Sequence, residues 1–265
     1  FFDQARRFVA ISLVGLLAEA AAAAAADLLP QPQSLTSALR EVAMPELGES
    51  RVGKLLSRYY SEGLGGPEEW AQLESLKMSG TMELDSGRFD LRAYQKKPNL
   101  LKLTLRHTKN QNTLGLGYDG SVAWEQPPEQ EAQPMDAKSA RRFAHSAVFG
   151  SYLLFPYREG KTIELIDTVP VEGAICHHFR VMLKSDYQVD YFLDIRTFLE
   201  VKVVNTDLRT GASNYILYQD YEHESGWPIA RVVESYESGE RVSTLRLEEV
   251  RVNTGVMPWM FQMPD

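Results

Sequence analysis

Leu101-Lys102-Leu103-Thr104-Leu105-Arg106 alternates apolar and polar residues without a break, and Leu114-Gly115-Leu116-Gly117-Tyr118 keeps an apolar residue at every second position a little further on. Successive side chains of a strand point to opposite faces, so each stretch predicts a strand with one apolar and one wetted face. Asp119-Gly120, leading into Val122-Ala123-Trp124, is a hairpin signal, because both residues tolerate the backbone of a tight turn. Upstream, residues 88–93 (RFDLRA) alternate too, with Phe89, Leu91 and Ala93 on one face. The four stretches predict an antiparallel meander.

Strand patterns continue over most of the chain. Residues 162–169, 174–183, 187–194, 199–205, 214–221, 228–236 and 241–252 read as strands, with Gly173, Gly211, Gly226 and Gly239 at or near the turns. Between the two series, Pro127, Pro128 and Pro134 mark a loop, and Asp136 is a suitable N-cap for a helix over 137–148 ended by Gly150. Phe143 and Ala147 form its apolar stripe, while Lys138, Arg141 and Arg142 give it a basic side. Ahead of the strands, residues 51–62 (RVGKLLSRYYSE) have helical spacing and stop at Gly63. Pro67 then opens a second short helix (PEEWAQL), with acidic residues in its first turn.

About eleven or twelve strands at such short spacing predict one large twisted sheet or open barrel. The fold class expected is α+β, mainly antiparallel β: a large curved sheet, or incomplete β-barrel, with helices covering its concave side. Each strand has an apolar face that needs a cover. The helices are too small to fill the concavity of so large a sheet, which implies apolar space for a ligand. Phe89, Leu91, Leu101, Leu103, Leu105, Leu116, Tyr118, Trp124 and Phe143 are the expected cavity residues. Lys97, Arg141 and Arg142 are candidates for a headgroup or partner contact.

Composition excludes several classes. The 265 residues carry 28 Lys+Arg against 36 Asp+Glu, a net charge of −8, so no general nucleic-acid binding is expected. One cysteine, Cys176, excludes an internal disulfide framework and a Cys-rich zinc site. His177-His178 would point to opposite faces of a strand and cannot chelate together, so no metal and no cofactor is expected. Neither a G-x-S-x-G elbow nor a phosphate-binding glycine loop occurs, and no catalytic residues are expected.

The chain opens on an address. Arg6 and Arg7 precede an apolar run, 8–17 (FVAISLVGLL), and an alanine tract before Asp27 offers small-x-small cleavage sites, the layout of a secretory signal peptide. The run is short of the roughly 20 residues that cross a bilayer. Residues 1–26 are therefore read as signal peptide, 27–50 as a flexible arm with Pro30, Pro32, Pro45 and Gly48, and 51–265 as one domain in the periplasm.

Several motifs, in order, resemble the LolA/LolB-like lipoprotein-carrier superfamily. They are Lys97-Pro98-Asn99-Leu100 opening a strand; Tyr118-Asp119-Gly120-Ser121-Val122-Ala123-Trp124-Glu125-Gln126-Pro127; Leu193-Asp194-Ile195-Arg196-Thr197-Phe198; Gly226-Trp227-Pro228; and Asn253 through Phe261-Gln262-Met263-Pro264 at the end. The resemblance implies an incomplete barrel whose helices close a hydrophobic concave side, non-catalytic binding of a lipid or of an acylated lipoprotein, and passage towards the outer membrane. It also admits membrane-associated donor and acceptor proteins, with the carrier itself a monomer. The lipoprotein-specific carrier has Arg where this sequence has Lys97, and the two are not interchangeable where a fixed fork of donors is needed. The same fold also implies an alternative role, a regulatory or sensor binding module of the cell envelope.

Overall fold

A computed structural model of the chain describes residues 48–153 and 161–264. The expected signal peptide and residues 27–47 of the arm lie outside the described residues. The first meander comprises β1 (Ser75–Leu84), β2 (Gly87–Lys96), β3 (Leu100–His107), β4 (Thr113–Tyr118), β5 (Ala123–Gln126) and β6 (Gln133–Pro134). The second comprises β7 (Lys161–Val171), β8 (Ala174–Leu183), β9 (Tyr187–Asp194), β10 (Glu200–Asp207), β11 (Ala212–Glu224), β12 (Trp227–Glu237) and β13 (Glu240–Val252). β13 pairs antiparallel with β1, so both series join in one 13-stranded sheet, β6-β5-β4-β3-β2-β1-β13-β12-β11-β10-β9-β8-β7. Two strands lie beyond the eleven stretches read from the sequence: β1, and β6, a two-residue pairing with β5 too short to alternate.

The order forces a crossing. β6 and β7 are the two edges and are consecutive in sequence, so the chain between them must travel from one side of the sheet to the other. It does so over the concave face through α3 (Ala137–Ser146), N-capped by Asp136, whose carboxylate accepts from Lys138 N and Ser139 N. The same crossing shows the curvature. α3 contacts β5, yet its Arg141 pairs with Asp207 at the end of β10 and donates to the Ser185 carbonyl. Eight strand steps separate β5 from β10, about 38 Å on a flat sheet at 4.8 Å per step. A ten-residue helix is only about 15 Å long. One helix reaches both places because the sheet bends around it.

Bending is helped where β13 carries an extra residue, Glu248, opposite Ser79 and Gly80 of β1. The backbones come so close there that a Cβ on Gly80 would lie 2.0 Å from the Arg246 carbonyl oxygen. Glycine is the residue that permits this.

Two short helices complete the cover. Ser50 caps α1 (Arg51–Arg58) by accepting from Gly53 N. Its last turn widens into a π-helical turn over Tyr59–Gly63, where the sequence predicted an unbroken helix to residue 62, and both tyrosines there are buried. α2 (Pro67–Gln72) follows. Between α3 and the second meander, Ala147, Val148, Phe149, Tyr152 and Leu153 are also buried against the sheet. This irregular stretch is a cover that the hydrophobic pattern did not announce.

Candidate functional site

The concave side is not filled evenly. A cavity of about 170 Å³ lies between the π-helical turn, α2, the stretch 149–151 and the inner faces of β1 and β10–β13. An apolar cavity of about 150 Å³ takes a benzene-sized guest, so this one has room for a short run of methylenes. Trp70 of α2 lines it, its ring centroid 6.1 Å from Phe149 and 6.4 Å from Trp227. Gly150, at φ +87°, makes way for it: a Cβ there would lie 2.5 Å from the Trp70 ring. Met78, Ala230, Val233 and Leu247 of the sheet form the opposite wall.

The cover is tied down at few points. Lys97 Nζ donates to the Trp70 carbonyl at 2.6 Å and lies 4.4 Å from the Trp70 ring centroid. Burial pushes its ammonium down to about 8, because the charged form loses water. Gln95 donates to the Val148 carbonyl at 3.3 Å, and Phe149 N donates to the Pro98 carbonyl at 3.0 Å.

One end of the cavity is polar. Glu200, at the start of β10, accepts from the Tyr59 hydroxyl at 3.0 Å, while its carbonyl accepts from the Tyr221 hydroxyl at 2.9 Å. Burial raises the carboxyl to about 7, and the hydrogen bond from Tyr59 only partly offsets this. Tyr218 lines the same end. Asp220 adopts a left-handed conformation (φ +53°) within β11 and interrupts its alternation, so Tyr218 and Tyr221, three residues apart, both reach the cavity.

Phe89, Leu91, Leu101, Leu103, Leu105, Leu116 and Tyr118 are brought together on the inner face of the first meander, buried with Phe143 of α3. None of these residues lines the cavity. Trp124 departs from the set altogether. Lys102, Gly117 and Trp124 are cross-strand partners, so they share the face opposite Leu103 and Tyr118. Trp124 Nε1 donates to the Phe261 carbonyl at 2.8 Å, under the C-terminal 3₁₀ turn Pro258–Phe261. Lys97 and Arg142 are buried, and Arg141, half-buried, pairs with Asp207. Among the described residues no group of His, Cys, Asp and Glu could hold a metal ion.

The space therefore lies where β1 meets the second meander. Tyr59, Trp70, Phe149, Glu200, Tyr218 and Trp227 are the site residues that sequence reading missed. Aromatic residues clustered in the short helices were the available signal. Glu200 gave none, because a lone Glu at a strand start ordinarily faces water.

No family model matches the sequence, and no curated protein matches it. Solved structures do share its architecture. An outer membrane lipoprotein-sorting protein domain of Vibrio parahaemolyticus aligns with a TM-score of 0.53 at 11% identity, over 72% of this chain and 89% of that one. A LolA superfamily protein of Nitrosomonas europaea gives 0.53 at 10% identity, over 79% and 96%. The chain has the LolA fold. A DUF1329 family protein of Desulfovibrio piger gives 0.55 at 9% identity, over 88% and 98%. At such identities the likeness concerns the fold alone. In the LolA-like sheet of this chain, the cavity lies where α2 and the stretch 149–151 meet β1 and β10–β13.

Proposed function

We propose that the protein is a non-catalytic periplasmic carrier that takes an acyl chain of a lipid or lipoprotein into this cavity and passes it towards the outer membrane. The observation that carries the reading is the unfilled apolar space beneath a cover made of short, separately tethered pieces. Protein interiors are ordinarily close-packed, and a void of this size forgoes contacts that a guest would restore. Each methylene moved from water to such a space gains about 0.8 kcal/mol. The names of two of the structural neighbours, a lipoprotein-sorting domain and a LolA superfamily protein, agree with this use.

The test is native mass spectrometry, with lipid extraction, of protein purified without detergent. Co-purified phospholipid or acylated protein is expected, with occupancy reduced in Ala230→Phe, whose ring would occupy the cavity. A ligand-free mass that stays unchanged after incubation with phospholipid vesicles refutes the carrier reading.

A further inference from the structure

The polar end of the cavity has a composition of its own. Three hydroxyls and one carboxylate meet there: Tyr59, Tyr218, Tyr221 and Glu200. The protons of Tyr59 and Tyr221 are committed, one to the Glu200 side chain and one to its carbonyl. Tyr218 differs. It is 7% exposed, and its hydroxyl has no hydrogen-bond partner. Buried hydroxyls are paired as a rule, and an unpaired one that lines a ligand-sized space marks where a guest atom belongs. Glu200 stands on the neighbouring strand, close enough for its charge to act on the Tyr218 phenol.

The two line the same cavity, one with an acceptor and one with a donor. A carboxylate accepts and cannot donate, while the phenol has a proton to give. Above pH 7, where Glu200 is ionised, an anionic head would pair with Tyr218 but meet the like charge of Glu200. A cationic head would pair with Glu200 but leave Tyr218 without an acceptor. A hydroxyl both donates and accepts, and it satisfies the two together. Resting on the carrier reading above, we propose that the ligand enters polar end first and that this end is an uncharged hydroxyl, as in a fatty alcohol or a monoacylglycerol, held between Glu200 and Tyr218. The described titratable groups acting with Glu200 are the phenols of Tyr59, Tyr191, Tyr218 and Tyr221, and no basic side chain is among them to neutralise it.

The experiment is isothermal titration calorimetry at pH 8.5, where Glu200 is ionised, with 1-octanol, its isomer heptyl methyl ether, and octanoate. The ether has the same length and accepts but cannot donate. Octanol is expected to bind about tenfold more tightly than the ether. In Glu200→Gln, which retains an acceptor for Tyr59, the preference for octanol over octanoate is expected to shrink at least about tenfold. Tyr218→Phe, which keeps the ring, should weaken octanol severalfold. An ether bound as well as octanol overturns the proposal, as does an octanol-to-octanoate ratio unchanged in Glu200→Gln; either result leaves the carrier reading standing. If none of the three compounds binds, the carrier reading falls and this proposal falls with it.

Discussion

Replacing Glu200 by Gln should make the protein less sensitive to alkaline pH, and the size of the effect follows from the site. In the folded protein burial raises the Glu200 carboxyl from its ordinary 4.5 to about 7. The native state therefore binds a proton that the unfolded chain has released, throughout the window between those values. Stability contributed by this group is fully present below pH 4.5 and is lost as pH rises through 7. The difference, 7 − 4.5, multiplied by 1.36 kcal/mol per unit gives a loss of about 3 kcal/mol at pH 8.5. That figure is an upper bound, because the carboxylate keeps some accessible surface towards the cavity. Gln cannot ionise, and its carbonyl can still accept from Tyr59. Urea unfolding of both proteins from pH 4 to pH 8.5 isolates the term, since every other titrating group cancels in the difference. The variant should gain on the parent steadily between pH 4.5 and 7 and hold a constant advantage above. Parallel stability profiles would refute the burial of an ionisable Glu200.

Two further substitutions test where on the concave side the ligand sits and how closely β1 meets β13. Phe143→Ala removes a fully buried ring packed with the first meander and should cost about 3–5 kcal/mol in urea unfolding, yet leave octanol affinity in the folded protein unchanged; a selective loss of affinity would place the ligand over the first meander instead. Gly80→Ala sets a Cβ against the Arg246 carbonyl and should destabilise by about 3 kcal/mol in the same assay, whereas an unchanged midpoint would mean that β1 and β13 do not approach as described.

Strands were legible where residues alternate. Residues 174–183 and 187–194, read from period alone, coincide with β8 and β9, since a half-buried strand writes its two faces into the sequence. The pairing of β13 with β1 was not legible, because no local pattern records which distant edge a strand meets. The place of the cavity was not legible for a related reason. Alternation identifies inward faces on every strand but does not say which of them the cover fills. The irregular stretch 147–153 has no period to read, yet it decides the matter by laying Phe149 and Gly150 beside Trp70. Tyr218 and Tyr221 were hidden in another way: strict alternation puts residues three apart on opposite faces, and the left-handed turn at Asp220 brings both to the same side.

On the carrier reading, the position of the cavity bears on how a ligand would load and leave. The sheet is held by ladders running across all thirteen strands, and opening it would break many backbone hydrogen bonds at once. α3 is anchored at both ends of its reach, by Phe143 in the filled core and by Arg141 at Ser185 and Asp207. α2 has six residues, below the length at which a helix is stable by itself, and tertiary contacts must hold it. Those contacts include Lys97 to the Trp70 carbonyl and Asn253 Nδ2 to the Gln72 carbonyl at 2.6 Å. Local opening draws on the segments with the fewest such ties. Lifting α2 would carry Trp70 out of the cavity and give a chain entry from the side of Trp227, while the first meander remained folded. The lysine at position 97 suits that motion better than an arginine would: one point donor to one carbonyl is a single tie to break, where a guanidinium fork could hold two acceptors at once.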